Sequence, residues 1–255
     1  PYATLRRPLE HRQRGIFVAE SEKVVRRLLE SNLAVVSVLL PQKWLDDYRP
    51  LLEARTETFT VYLADKKTLE KLVGFTMFQG VLAVGKIPPP VPLEDILPKS
   101  PKPILFVAVD EIANAENLGS LVRNCVAFGA HALLVGETSS SPFLRRAVRN
   151  SMGAIFQLPV VELTNLAQTL RNLREKKIRC IAAHPHANGK MLSQMDFSGD
   201  CCIIFGSEGH GISKAVLENC NDAVAIPMSP TVDSLNVGAA AAVFLYEANR
   251  QRNKT

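Results

Sequence analysis

Seven prolines crowd residues 87–103: Pro88, Pro89, Pro90, Pro92, Pro98, Pro101 and Pro103. Each fixes φ and removes a backbone donor, so the stretch is expected to form neither a helix nor a central strand. It divides the 255 residues into an α/β domain over 1–87, a stiff extended linker over 88–103 and a second domain over 104–255. That length suits one large domain or two ordinary ones. With 47% hydrophobic and 22% charged residues, the chain has the composition of a globular protein rather than a disordered or fibrous one.

From 16 to 87 the pattern is a small layered α/β unit. Helices are expected over Glu20–Glu30, with Val24, Val25, Leu28 and Leu29 on one face, over 42–53, and from a cap at Asp65 to Lys71. Strands are expected over Ala34–Leu40, Phe59–Leu63 and Gln79–Lys86. After the prolines, Ile104–Val109 is a continuous apolar run, as in a strand covered on both faces. Strands at Ala132–Val135, Gln157–Val161, Ile178–Ala183, Ile203–Phe205 and Ala223–Ile226 alternate with helices over Leu118–Phe128, from Ser141 or Pro142 to Asn150, and over Leu163–Lys176. These residues alone describe an α/β domain with a mostly parallel, open, Rossmann-like sheet, since threaded chains are rare.

No apolar run approaches the roughly 18 residues that span a bilayer. The opening PYATLRRPLEHRQRG lacks the apolar core of a signal peptide. A cytoplasmic protein is expected, with an organelle-targeting segment ahead of residue 1 left open. The five cysteines are odd in number and show no CxxC spacing, so they read as reduced, buried thiols. His184 and His186 have no carboxylate or cysteine at ligand spacing, and no metal is expected. The net charge of +5 is either a solvated basic surface or the footprint of an acidic partner such as RNA. Clustering favours the second: Arg6, Arg7, Arg12 and Arg14, then Arg145, Arg146 and Arg149, then Arg250, Arg252 and Lys254.

Three stretches carry the chemistry. In NLGSLVR, Asn117 is expected to cap a helix starting at Leu118, and Arg123 lies off the apolar stripe. It is either an ordinary solvated arginine or a guanidinium placed for a phosphate oxygen. In FGSEGHG, Gly206 and Gly211 follow a buried strand and let backbone approach a ligand. Neither nucleotide fingerprint fits, and Glu208 suits a cationic ligand or an arginine partner; a tight turn with an exposed Glu is the other reading. In IPMSPTVDSLN, Ser234 is the expected N-cap and Asn236 lies in the first helical turn. The helix from Gly238 to Ala242 has almost no side-chain bulk and permits close packing.

Together and in this order these motifs resemble the SpoU/TrmH family of SPOUT methyltransferases. The family's N-x-G-x-x-x-R followed by F-G is matched by Asn117, Gly119, Arg123, Phe128 and Gly129. Its G-x-E-x-x-G is matched by Gly206, Glu208 and Gly211, and its I-P-M and S-L-N-V by Ile226-Pro227-Met228 and Ser234-Leu235-Asn236-Val237. The similarity covers about 104–250, including RRAVRNSMGAIFQLPV. The first domain is similar to a ribosomal-protein-like RNA-binding domain through ESEKVVRRLL and FQGVLAV.

The resemblance implies methyl transfer from S-adenosylmethionine to a ribose 2′-hydroxyl of structured RNA, ribosomal RNA favoured over transfer RNA. It also implies a C-terminal deep trefoil knot and a homodimer. Gly206, Ile226, Leu235, Met228 and Gly211 would hold the cofactor. Arg123 would orient the nucleotide and stabilise the developing alkoxide, with Glu208 positioning it. Asn117, Ser234 and Asn236 would fix the 2′-hydroxyl. The chain departs from the family at Gly238, where Ser or Ala is common, and at Ser21, where Gly is usual. The alternative is a non-catalytic RNA-binding or ribosome-assembly factor; Arg123, Glu208 and Asn236 together argue against it.

Overall fold

The protein is described by a computed structural model over residues 1–73, 80–185 and 190–253. Phe78, Gln79, His186 and Lys254, named above, lie outside the described residues. The strands are β1 (Ile16–Glu20), β2 (Val35–Leu40), β3 (Thr60–Leu63), β4 (Leu82–Lys86), β5 (Leu105–Val109), β6 (Ala132–Val135), β7 (Val160–Glu162), β8 (Arg179–Ala183), β9 (Cys201–Phe205) and β10 (Asp222–Val224). The helices are α1 (Pro8–Gln13), α2 (Glu22–Glu30), α3 (Leu45–Glu53), α4 (Lys66–Val73), α5 (Leu93–Ile96), α6 (Ala115–Ala127), α7 (Arg145–Asn150), α8 (Leu166–Glu175), α9 (Lys214–Leu217) and α10 (Val237–Arg252). They form two units: Pro1–Pro89 with Pro142–Gln157, and Pro90–Ser141 with Leu158–Thr255.

In the first unit the sheet order is β1-β4-β2-β3, with β2 and β3 parallel and the other pairs antiparallel. Asp65 caps α4 as expected, accepting from Thr68 N–H at 2.7 Å. Strand β1 was not expected. Its five residues are all buried, because residues 142–157, assigned by sequence to the second domain, pack on it. The Phe17 ring lies 5.6 Å from Phe143 and 5.4 Å from Phe156, and on its way meets Gly85, where a Cβ would come within 2.5 Å of the ring. Glu20, 3% exposed, takes Arg145 at 3.5 Å and Arg149 at 3.7 Å. Two of the cations expected for RNA are therefore turned toward a buried carboxylate.

In the second unit the six strands run β10-β8-β9-β5-β6-β7, all parallel. The Ile104–Val109 run becomes β5, paired on both sides and wholly buried. The proline stretch holds a helix after all. Five proline-free residues separate Pro92 from Pro98, and Pro92 is the N-cap of α5, a position that needs no N–H. Leu93 and Ile96 are thereby buried with Ile104, Phe106 and Leu134.

Four of the cysteines are buried, Cys220 is partly so, and all five are free. Burial pushes the thiol of Cys201 up to about 11 and those of Cys180 and Cys220 up to about 12. At the far end of α10, Arg252 donates to the carbonyls of Phe197 (2.9 Å), Pro103 (2.7 Å), Ile104 (3.0 Å) and Gly199 (2.7 Å). Arg250 pairs with Glu247 at 2.7 Å. The C-terminal basic cluster is thus partly an anchor, not a free charged surface. Among the described residues no helix is long and apolar enough to cross a membrane, and no cluster of His, Cys, Asp and Glu could hold a metal.

Candidate functional site

Parallel strands open a crevice at their carboxyl ends, and β8, β9 and β10 do so side by side. Strand β9 ends at Phe205, and the chain then folds back on itself. Ser207 and Gly211 exchange backbone hydrogen bonds of 2.8 and 2.9 Å. A Cβ on Gly206 would lie 2.1 Å from the carbonyl carbon of Gly211, so this approach requires glycine. Asp110, buried at the end of β5, fastens the loop. Its N–H donates to Phe205 O (2.9 Å) and its carboxylate accepts from Ser213 N–H at 2.8 Å.

The opposite wall follows β10. Ala225 donates to Lys190 O (3.0 Å) and accepts from Leu192 N–H (2.8 Å), which sets Ile226 at the rim. Asp222 lies between Arg179, 2.6 Å away, and Lys190. Burial works against its charge, but the bonds from Lys190 and Arg179 prevail and hold its carboxyl below the usual range.

Between these walls is a cleft of about 370 Å³, lined by residues 183–185, 205–211, 226, 228, 233–235, 237, 240 and 244. It brings together Gly206, Glu208, Gly211, Ile226, Met228, Ser234 and Leu235 of the expected set. Asn117, Arg123 and Asn236 are not in its lining. The sequence reading missed His184, Asp233, Ala240 and Phe244 in the lining, and Asp110 behind it. The one local signal for Asp110 is an acid closing an apolar strand run.

Both helix caps differ from expectation. Helix α6 begins at Ala115, capped by Asn114, whose side chain accepts from Glu116 N–H (2.8 Å) and Asn117 N–H (3.2 Å). Ala115 and Glu116 are good helix formers and extend the helix by a turn toward the N-terminus. Helix α10 is capped by Asn236, not Ser234, through Oδ1 and Gly238 N–H at 2.9 Å. Asn117 is thereby released from capping. The Asn236 amide Nδ2 donates to Asn117 Oδ1 at 3.0 Å and to Glu208 Oε1 at 2.9 Å. One side chain thus ties together the three motifs read in the sequence.

Arg123 is exposed on α6. It makes no ion pair or hydrogen bond among the described residues, and Glu208 bonds to Asn236 rather than to it. Gly238 also acquires a reason. Helices α6 and α10 pack together, Asn124 Nδ2 donates to Gly238 O at 2.7 Å, and a Cβ at 238 would lie 3.0 Å from Ser120 Cβ. Ser120 occupies the space that a larger residue at 238 would need.

The sequence profile of the SpoU rRNA Methylase family matches residues 104–246. A Mycolicibacterium paratuberculosis protein named "Uncharacterized tRNA/rRNA methyltransferase" is 36% identical over 188 residues, covering 72% of this chain and 60% of that protein. The chain therefore spans less than two thirds of that relative's length. Among solved structures, AviRb, a SpoU methyltransferase from Streptomyces viridochromogenes, superposes with a TM-score of 0.83 at 26% identity, over 98% of this chain and 95% of that one. A second structure of AviRb is a complex with the cofactor AdoMet, with a TM-score of 0.85 at 24% identity over 99% and 96% of the two chains. A structure described as an RNA 2′-O ribose methyltransferase superposes with a TM-score of 0.81 at 25% identity, over 98% and 94%.

Proposed function

The chain belongs to the SpoU rRNA methylase family, and on that footing we propose that it methylates a ribose 2′-hydroxyl of structured RNA with S-adenosylmethionine as donor. The observation that carries this reading is the Asn117–Asn236–Glu208 chain of hydrogen bonds beside the cleft. The cleft suits the donor on its own terms. Phe205, Ile226 and Phe244 offer apolar surface to a flat base. The closed loop at Gly206 and Gly211 brings backbone to the wall. Glu208 and Asp233 give carboxylates for a cationic ligand. AviRb, of the same fold, has been captured with AdoMet.

When bound, the donor supplies an electrophilic methyl group on a sulfonium. The protein's task is then to position and to stabilise charge. Gly206, Gly211, Ile226, Met228 and Leu235 hold the adenosyl portion. Ser234, Asn117 and Asn236 supply hydrogen bonds that orient the ribose, with Glu208 fixing the Asn236 amide. Arg123, free of internal pairing among the described residues, engages the RNA phosphate and stabilises the developing alkoxide; a guanidinium is no proton acceptor.

Ribosomal RNA is the favoured target, and residues 1–87 are assigned to binding it. The cytoplasm is the assigned compartment. A homodimer belongs to the same reading, supported by exposed Val243 and Tyr246 on α10. So does the trefoil knot, supported by Arg252 fastening the end of α10 to Pro103 and Gly199.

Arg123→Ala tests the assignment of roles. Transfer to RNA should fall at least ~100-fold, the scale of an electrostatic stabiliser, while S-adenosylmethionine affinity by calorimetry stays near wild type. Full activity would remove Arg123 from the mechanism.

A further inference from the structure

We propose that Asp233 makes the cleft selective for the positively charged methyl donor over the neutral product left after transfer. This rests on the function proposed above and concerns a residue that the family motifs do not include. The charged lining of the cleft is one-sided. Glu208 and Asp233 face it, and among the described residues no lysine or arginine lines it. The other polar influences are the imidazoles of His184 and His210 and the positive end of α10, whose Gly238 N–H is already satisfied by Asn236. The two carboxylates are not equivalent. Glu208 is held by the Asn236 amide at 2.9 Å. Asp233 makes no hydrogen bond or ion pair among the described residues and is exposed in a segment that lines the cleft.

Methyl transfer changes one charge. The carbon–sulfur bond breaks with both electrons going to sulfur, a carbon–oxygen bond forms to the 2′-oxygen, and the hydroxyl proton leaves to a base. The sulfonium becomes a neutral thioether, while the ammonium, carboxylate and adenosine of the ligand are unchanged. Apolar walls and backbone therefore bind donor and product alike. Only a charged group near sulfur separates them. A carboxylate at a solvent-screened distance changes binding of a unit charge by about three- to tenfold. Of the two carboxylates that line the cleft, Asp233 is the one not already held by another side chain, and this role is assigned to it. Its consequence is weaker retention of product once the charge is gone.

Calorimetric titration of wild-type protein and Asp233→Asn with S-adenosylmethionine and with S-adenosylhomocysteine, at low and high salt, tests this without any activity readout. Asp233→Asn should weaken the donor about three- to tenfold and leave product affinity within about twofold. In wild type the donor's advantage should shrink as salt rises, and Asp233→Glu should restore it. Equal losses for both ligands, or an unchanged donor-to-product ratio, would overturn the inference. If wild type binds the product but the donor no better after salt is removed, it also fails. Wild-type protein that binds neither ligand would instead bring down the methyltransferase reading, and this inference with it.

Discussion

Ser21, between β1 and α2, has φ +88° and ψ 155°, a region that is almost reserved for glycine and costs on the order of 1–3 kcal/mol for other residues. Its side chain makes no capping hydrogen bond to α2, so nothing local offsets the strain. The resemblance of the first domain implies a glycine here, and this backbone conformation is one that favours glycine. Glycine would add unfolded-chain entropy of about 0.5–1 kcal/mol, less than the strain it relieves. Ser21→Gly is therefore predicted to raise the free energy of unfolding by about 1 kcal/mol, measured by urea denaturation. A decrease would show that the backbone here is not strained by its side chain. Gly206 is the opposite case, since no other residue fits against Gly211.

At the level of elements, the site is a junction of the first turn of α6, the loop after β9 and the start of α10, and Asn236 is the joint. Serine is as good an N-cap as asparagine but has no amide to reach Asn117 and Glu208. Asn236→Ser should leave thermal stability within about 1 kcal/mol yet slow single-turnover methyl transfer at least ~10-fold. Unchanged transfer would show that the link is structural only. The elements that sequence made legible are those fixed by local pattern. The Ile104–Val109 run had the pattern of a doubly covered strand, and Val24, Val25, Leu28 and Leu29 marked the buried face of α2. The caps were misplaced because Asn114 and Asn117, or Ser234 and Asn236, are equally good capping residues, and only tertiary bonds choose between them. Strand β1 and the grouping of 142–157 escaped because their partners are remote. Arg27 reaches Met152 O at 2.6 Å across 125 residues, and no local period encodes that.

For the molecule as a whole, net charge overstated the surface left for RNA. Arg145, Arg149 and Arg252 of its +5 balance are committed to Glu20 and to backbone carbonyls. What points to RNA is instead the family profile over 104–246, whose three motif segments meet around one asparagine beside the cleft. The central claim is that the methyl group goes to a ribose oxygen. Ribose 2′-O-methylation blocks alkaline cleavage at the neighbouring phosphate, because the 2′-oxygen can no longer attack it. The direct measurement is incubation of the protein with methyl-labelled S-adenosylmethionine and ribosomal and transfer RNA, followed by alkaline hydrolysis and separation of the products. The predicted result is label in alkali-resistant dinucleotides, chiefly from ribosomal RNA and absent with Arg123→Ala. Label recovered in mononucleotides, on the bases, would contradict it.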